Sequence, residues 1–128
     1  MKSSMSSKAV AVIVGSFVAL VIGALPASAT DYTSPSFSGT QVWPLGGCSV
    51  TISHDNGLIS GTGRAYKPSP CTGTVRALAT GHQILTVYPY ILNVSKYGSW
   101  SSSTSSAKIS GGVLTPAQVD YAGATRRV

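Results

Sequence analysis

At 128 residues and 13.1 kDa, the chain has the length of a single domain. Charged residues make up only 9%, and the acidic side consists of Asp31, Asp55 and Asp120 with no Glu, so the paired carboxylates that glycosidases use are missing from any one segment. Two Cys and two His at these spacings are too few for a strong metal site, and no cofactor motif occurs.

The chain opens as a secretory signal. Lys2 and Lys8 precede an uncharged run over residues 9–25, Pro26 ends it, and Ala27-Ser28-Ala29 supplies the small-x-small pattern of a signal peptidase site. The expectation is a cleaved peptide of residues 1–29 and a single β-rich domain of residues 30–128. A retained membrane anchor is the competing reading, because the run approaches the length that spans a bilayer. No later segment is apolar enough to span one. In residues 30–128, seven basic side chains against three Asp leave a net charge of +4, which favours an anionic cell-wall polymer or an acidic extracellular protein as partner. The basic residues are scattered, without the stripe and stacking aromatics of a nucleic-acid binder.

Ser and Thr account for 27 of these 99 residues, alongside Val, Ile, Tyr and Gly, a strand-and-turn composition. Residues 37–43 read as a first strand. From Cys48 to His54, apolar and hydroxyl residues alternate with period two, and Asn56-Gly57 then suits a type I′ turn. That turn sets Ile52 opposite Gly61, Val50 opposite Gly63 and Cys48 opposite Ala65, with polar pairs on the other face. The glycines leave room for a second layer, so the fold expected is an all-β, small antiparallel sandwich of six or more short strands. Cys48 and Cys71 form its one disulfide, since an exported chain meets an oxidising environment.

Residues 67–70 carry two prolines and read as a loop into Cys71. A second hairpin is expected over residues 74–79 and 84–88, turning at Gly81-His82, with another strand over 90–94 after a bend at Pro89. Residues 97–106 are Ser-rich and read as a mobile surface loop. Residues 107–114 form a last strand. Thr115-Pro116-Ala117-Gln118 has capping-box spacing, so a short C-terminal helix or a further strand follows.

His54 and Asp55 are adjacent and point to opposite strand faces, no Gly-x-Ser-x-Gly elbow occurs, and His82 sits in the expected turn, so no catalytic residue is assigned. Tyr97 and Trp100 have neighbours that make poor core, which leaves their rings for a sugar or a protein surface. Together with Lys96, Arg126 and Arg127 they are the candidate ligand-binding residues, although Arg126-Arg127 also reads as a frayed tail. The expected function is an exported, non-catalytic binding module for a cell-wall polymer or an extracellular protein. The alternatives are a secreted effector, either an enzyme inhibitor presenting the loop before Cys71 or a small antimicrobial protein, and more weakly a small hydrolase. Intact mass of the secreted protein should show a chain beginning at Thr30 and lighter by two hydrogens than the reduced sequence; two titratable thiols would remove the disulfide.

Overall fold

The computed structural model describes residues 29–85 and 90–128. The expected signal peptide up to Ser28, and residues 86–89 with the expected bend at Pro89, lie outside the described residues. Eight strands follow in order: β1 (Asp31–Thr33), β2 (Gln41–Leu45), β3 (Cys48–Asn56), β4 (Ser60–Tyr66), β5 (Thr74–Leu85), β6 (Tyr90–Tyr97), β7 (Thr104–Ser110) and β8 (Ala117–Arg127). They build two four-stranded antiparallel sheets, ordered β1-β8-β5-β6 and β2-β3-β4-β7. No helix occurs among the described residues.

The sheets meet through small side chains. On the inner faces Val50, Ile52, Ala65, Ala107 and Ile109 oppose Val75, Ala77, Ala79, Val119, Ala122 and Ala124, all buried. The glycines predicted to leave space do so. A Cβ on Gly63 would lie 3.1 Å from the Ala79 Cβ, and one on Gly61 would run into Val119 of the opposite sheet. The disulfide Cys48–Cys71 joins the start of β3 to the segment before β5, with Cα atoms 5.9 Å apart.

Alternation places the faces of β3 and β4 correctly, but the register differs. Ile52 pairs with Ala65, His54 with Gly63 and Asn56 with Gly61, so each β3 residue meets a partner four positions later than the Asn-Gly turn implied. An even displacement leaves the apolar face apolar, which is why the error is silent in the pattern. Its cause is Asn56, which stays in the strand: its Nδ2 donates to Val119 O at 3.1 Å and its Oδ1 accepts Val119 N–H at 2.7 Å, clamping β3 to β8 of the other sheet. Gly57-Leu58-Ile59 then forms the connection, closed by Gly57 N–H on Ser60 O at 2.7 Å.

Three other expectations are corrected. Gly81-His82 is not a turn, because β5 runs through it without a break; Gly81 instead lets β8 approach, and any Cβ there would collide with Gln118 O. The short C-terminal helix gives way to its alternative, a strand: residues from Ala117 on pair with β5, and Ala117 and Val119 enter the core. The Ser-rich stretch is not a mobile loop either. Ser101 exchanges both backbone hydrogen bonds with Val75, Ser105 is buried with its hydroxyl accepting Ala77 N–H at 2.9 Å and donating to Ser99 O at 2.7 Å, and residues from Thr104 on form β7.

Replacing Gly63 by Leu should therefore cost about 1–3 kcal/mol, the usual range for overpacking a filled core, because its Cβ alone would already press on Ala79 and Ala122 and the rest of the side chain lies beyond it. Urea denaturation checks this; an unchanged midpoint would mean that the sheets do not meet at Gly63.

Candidate functional site: a cation and aromatic stack on one sheet

Arg76 belongs to the outward-facing residues of β5, whose alternate positions Val75 and Ala77 are in the core. Tyr97 ends β6, across from Leu78. Beyond it, Gly98 N–H bonds Ala77 O at 2.9 Å and Ser101 bridges Val75, so the chain continues alongside β5 and sets Trp100 beside Arg76. On the other side of β5, Arg127 of β8 pairs with Thr74. The side chains interleave: the Arg76 guanidinium carbon lies 4.1 Å from the Tyr97 ring centre and 4.7 Å from that of Trp100, and Arg127 lies 4.4 Å from Trp100. Asp31 closes the row, accepting from Arg127 Nε at 2.8 Å and Nη2 at 2.9 Å.

Each ring offers the negative face of its quadrupole to a cation, a contact worth about 0.5–1 kcal/mol at an exposed site. The stack is therefore held by its own members: Arg76 and Trp100 are half-buried, with Arg76 Nε buried and without a partner among the described residues, while Tyr97 and Arg127 face water. Tyr97 remains 59% exposed. The Asp31 carboxyl is held below the usual carboxylate range, chiefly by the hydrogen bonds from Arg127; desolvation opposes this, and the charges of Arg127 and Arg76 add to it. The same bonds raise the Arg127 pKa.

Of the five candidates from the sequence, the structure brings together Tyr97, Trp100 and Arg127. Lys96 projects from the opposite side of β6, next to Ala79 in register. Arg126 is buried, 5% exposed, with Nε and Nη2 on Thr72 O, Nη1 on Leu45 O and Gly46 O, and a further bond to Thr72 Oγ1. The C-terminus is thus no frayed tail: Arg126 ties the β2–β3 turn and the disulfide segment to β8, and Val128 exchanges backbone bonds with Thr30. Arg76 was missed, although the alternation of residues 74–79 already put it on the polar face.

The histidines stand apart from the stack. His54 Nε2 accepts Gly39 N–H at 3.0 Å, which assigns the ring proton to Nδ1, a buried atom with no partner among the described residues. His82 Nδ1 lies 2.7 Å from Asp120 Oδ2. Asp120 falls where the β5–β8 register shifts, between Thr80 paired with Tyr121 and Gly81 paired with Val119, and this bulge aims it at His82. Among the described residues no three of His, Cys, Asp and Glu converge on one point. The loop before Cys71 is fixed rather than free: Lys67 is buried with its Nζ on Cys71 O, and Cys71 N–H bonds Pro68 O at 3.1 Å. Trp43 packs against Phe37 at 5.1 Å and half-buries on the core, whereas Tyr66 is 48% exposed.

No family model matches this chain, and no curated protein or solved structure is similar to it.

The acid limb of the stack follows from Asp31. Its carboxyl binds a proton less readily folded than unfolded, so its contribution is complete above the unfolded pKa, near 3.9, and is lost as pH falls through the lower folded value. Trp100 fluorescence should therefore shift only below about pH 4, and Asp31→Asn should flatten that limb; a shift centred near neutrality would show that another group controls the stack.

Proposed function

We propose that the protein is an exported, non-catalytic β-sandwich that binds an anionic extracellular polymer, with a cell-wall polymer bearing phosphate or carboxylate groups as the chemistry that fits. The observation that carries this reading is the stack of Tyr97, Arg76, Trp100 and Arg127 on the outer face of one sheet. Arg127 uses Nε and Nη2 on Asp31 and Arg76 Nε is buried, so it is the terminal N–H donors of Arg76, held between two rings, that remain for a charged oxygen, with little further side-chain freedom to lose on binding. An exposed ring beside them offers a sugar its apolar face. The net charge of residues 30–128 attracts the same ligand from a distance, and an extended polymer needs a surface rather than a pocket.

Export itself rests on the sequence of residues 1–29, and the disulfide is compatible with it. The effector alternative has as its support the rigid turn from Pro68 to Cys71, which exposes Ser69 and Pro70 beside the disulfide. With Lys67 buried, that turn lacks a basic side chain to offer a trypsin-like enzyme.

The test is co-sedimentation of the chain from Thr30 with purified cell wall, intact or stripped of its anionic polymers, at low and high salt. Retention on intact wall that persists at high salt, and that falls about tenfold in Trp100→Ala and Arg76→Ala while His54→Ala and His82→Ala leave it unchanged, is the expected result. Retention abolished by salt alone would reduce the reading to net charge. No retention at either salt would overturn it and turn attention to soluble targets of the turn before Cys71.

A further inference from the structure

β6 is the edge of its sheet, paired with β5 alone. In that ladder Gly98 N–H donates to Ala77 O, in step with the pairing of Tyr97 with Leu78, so the even-numbered residues of β6 are those whose backbone groups face β5. The N–H and C=O groups of Ile91, Asn93, Ser95 and Tyr97 point the other way, along an open edge. Side chains alternate as well. Val94 packs against the core, so Leu92 shares its inner face, while Ile91, Asn93, Ser95 and Tyr97 lie on the outer face with Arg76. Leu92 is nevertheless 46% exposed, because nothing described covers the inner face beyond β6.

The other sheet edges are shielded. β1 has three residues, β2 contains Pro44, and β7 is packed at its start against Gly98 and Ser99, where a Cβ on Gly98 would collide with Ser106 O and the Ser105 hydroxyl donates to Ser99 O. β6 by contrast has eight residues with no proline, no shift in register and a single charge, Lys96. A regular edge of this kind is a template for another strand.

We propose that the edge of β6 pairs with the same edge of a second copy, antiparallel about a two-fold axis at Asn93, so that two four-stranded sheets become one of eight strands. The partner is a second copy because the edge is its own complement. With the outward backbone groups on odd residues, a two-fold axis must pass through a residue position rather than between residues. Centred on Asn93, the pairing takes in residues 90–96, makes hydrogen-bonded pairs of Asn93 with its copy and of Ile91 with Ser95, and sets Leu92 opposite Val94 on both sides of the axis. Four aliphatic side chains then carry the core across the junction. Centred one residue later, Lys96 would face Leu92; centred one residue earlier, only residues 90–94 would pair. Charge allows the register, since Lys96 falls opposite position 90 and the two Lys96 positions lie roughly 20 Å apart, beyond the ~8 Å over which salt screens them. The two-fold consumes both edges, so pairing stops at the dimer.

Dimerisation does not rest on the polymer reading. On that reading it has a consequence, because a two-fold axis perpendicular to the sheet keeps both outer faces on one side. The two Tyr97 positions are then separated by roughly 27 Å along the strands, and one extended chain meets two stacks at once.

The test is sedimentation equilibrium of the chain from Thr30 over a range of concentrations, with no polymer present. The mass should rise from monomer to dimer and stop there. Asn93→Pro removes an N–H that faces away from β5, so the monomer keeps its ladder while the dimer should dissociate about tenfold more readily, the effect of losing the two hydrogen bonds these N–H groups make at the axis. Leu92→Lys, at an exposed position, should weaken the dimer as well, and equal urea midpoints in dilute solution check that both variants fold. Register is read by cross-linking: a short bifunctional thiol reagent should join Asn93→Cys to its copy, with Cα atoms about 5.5 Å apart, and should not join Lys96→Cys. Monomer mass at every concentration, a dimer that both Asn93→Pro and Leu92→Lys leave intact, linkage through position 96 but not 93, or assemblies that grow beyond two copies would each overturn the proposal.

Discussion

The close approach of the two sheets governs the rest of the architecture. Half of the buried apolar residues described are alanines, and Gly63 faces Ala79 and Ala122 so closely that an added Cβ would press on both. Packing of this kind gains dispersion from contact density but buries little area per residue, at about 25 cal/mol for each Å². A domain of this length has a small core to begin with. The fold compensates with specific cross-links between the layers: the Cys48–Cys71 disulfide and Arg126 at one end, and the Asn56 side chain on the Val119 backbone toward the other. Each of these joins segments that belong to different sheets or lie far apart in the chain.

The two ends of the sandwich consequently differ in character. At the disulfide end Thr30 and Val128, the β2–β3 turn and the cation and aromatic stack are drawn together by polar and ionic contacts. At the other end turns close on themselves and expose aliphatic side chains. Such polarity along the strand direction is available to a sandwich because its strands run from one end to the other, and alternation constrains only their sides. Turn residues escape that constraint, as the exposed Leu58 and Val113 do.

What could be read from the sequence was whatever depends on period two. The faces of β3 and β4, the small inner glycines, the disulfide and the all-β class all follow from alternation and composition. Register does not, because a displacement of four preserves every face; the decision lay with Asn56, whose partner Val119 is 63 residues away. Gly81 reads locally as a turn and is in fact a point of close approach, and that too is set by a distant strand. The run of serines resembles a linker only when its neighbours are ignored: Ser105 is buried because its hydroxyl serves a backbone N–H of β5. For the stack, Tyr97 and Trp100 stood out through their poor core neighbours, whereas Arg76 needed the sheet order to show that it slots between them. The pairing of His82 with Asp120 was likewise invisible, since it depends on a bulge.

Arg126 shows how a charge can be used without a counter-charge. All its described acceptors are carbonyl oxygens and one hydroxyl, from Leu45, Gly46 and Thr72, and none of them ionises. An ion pair in this place would fade as its carboxylate took up protons, and one at the surface would be screened by electrolyte. A guanidinium wrapped in backbone dipoles is subject to neither influence. The disulfide end is therefore fastened in a way that is indifferent to acidity and ionic strength, so a protein passing through surroundings of varying composition keeps that end closed while its exposed pairs, such as Arg127 with Asp31, come and go.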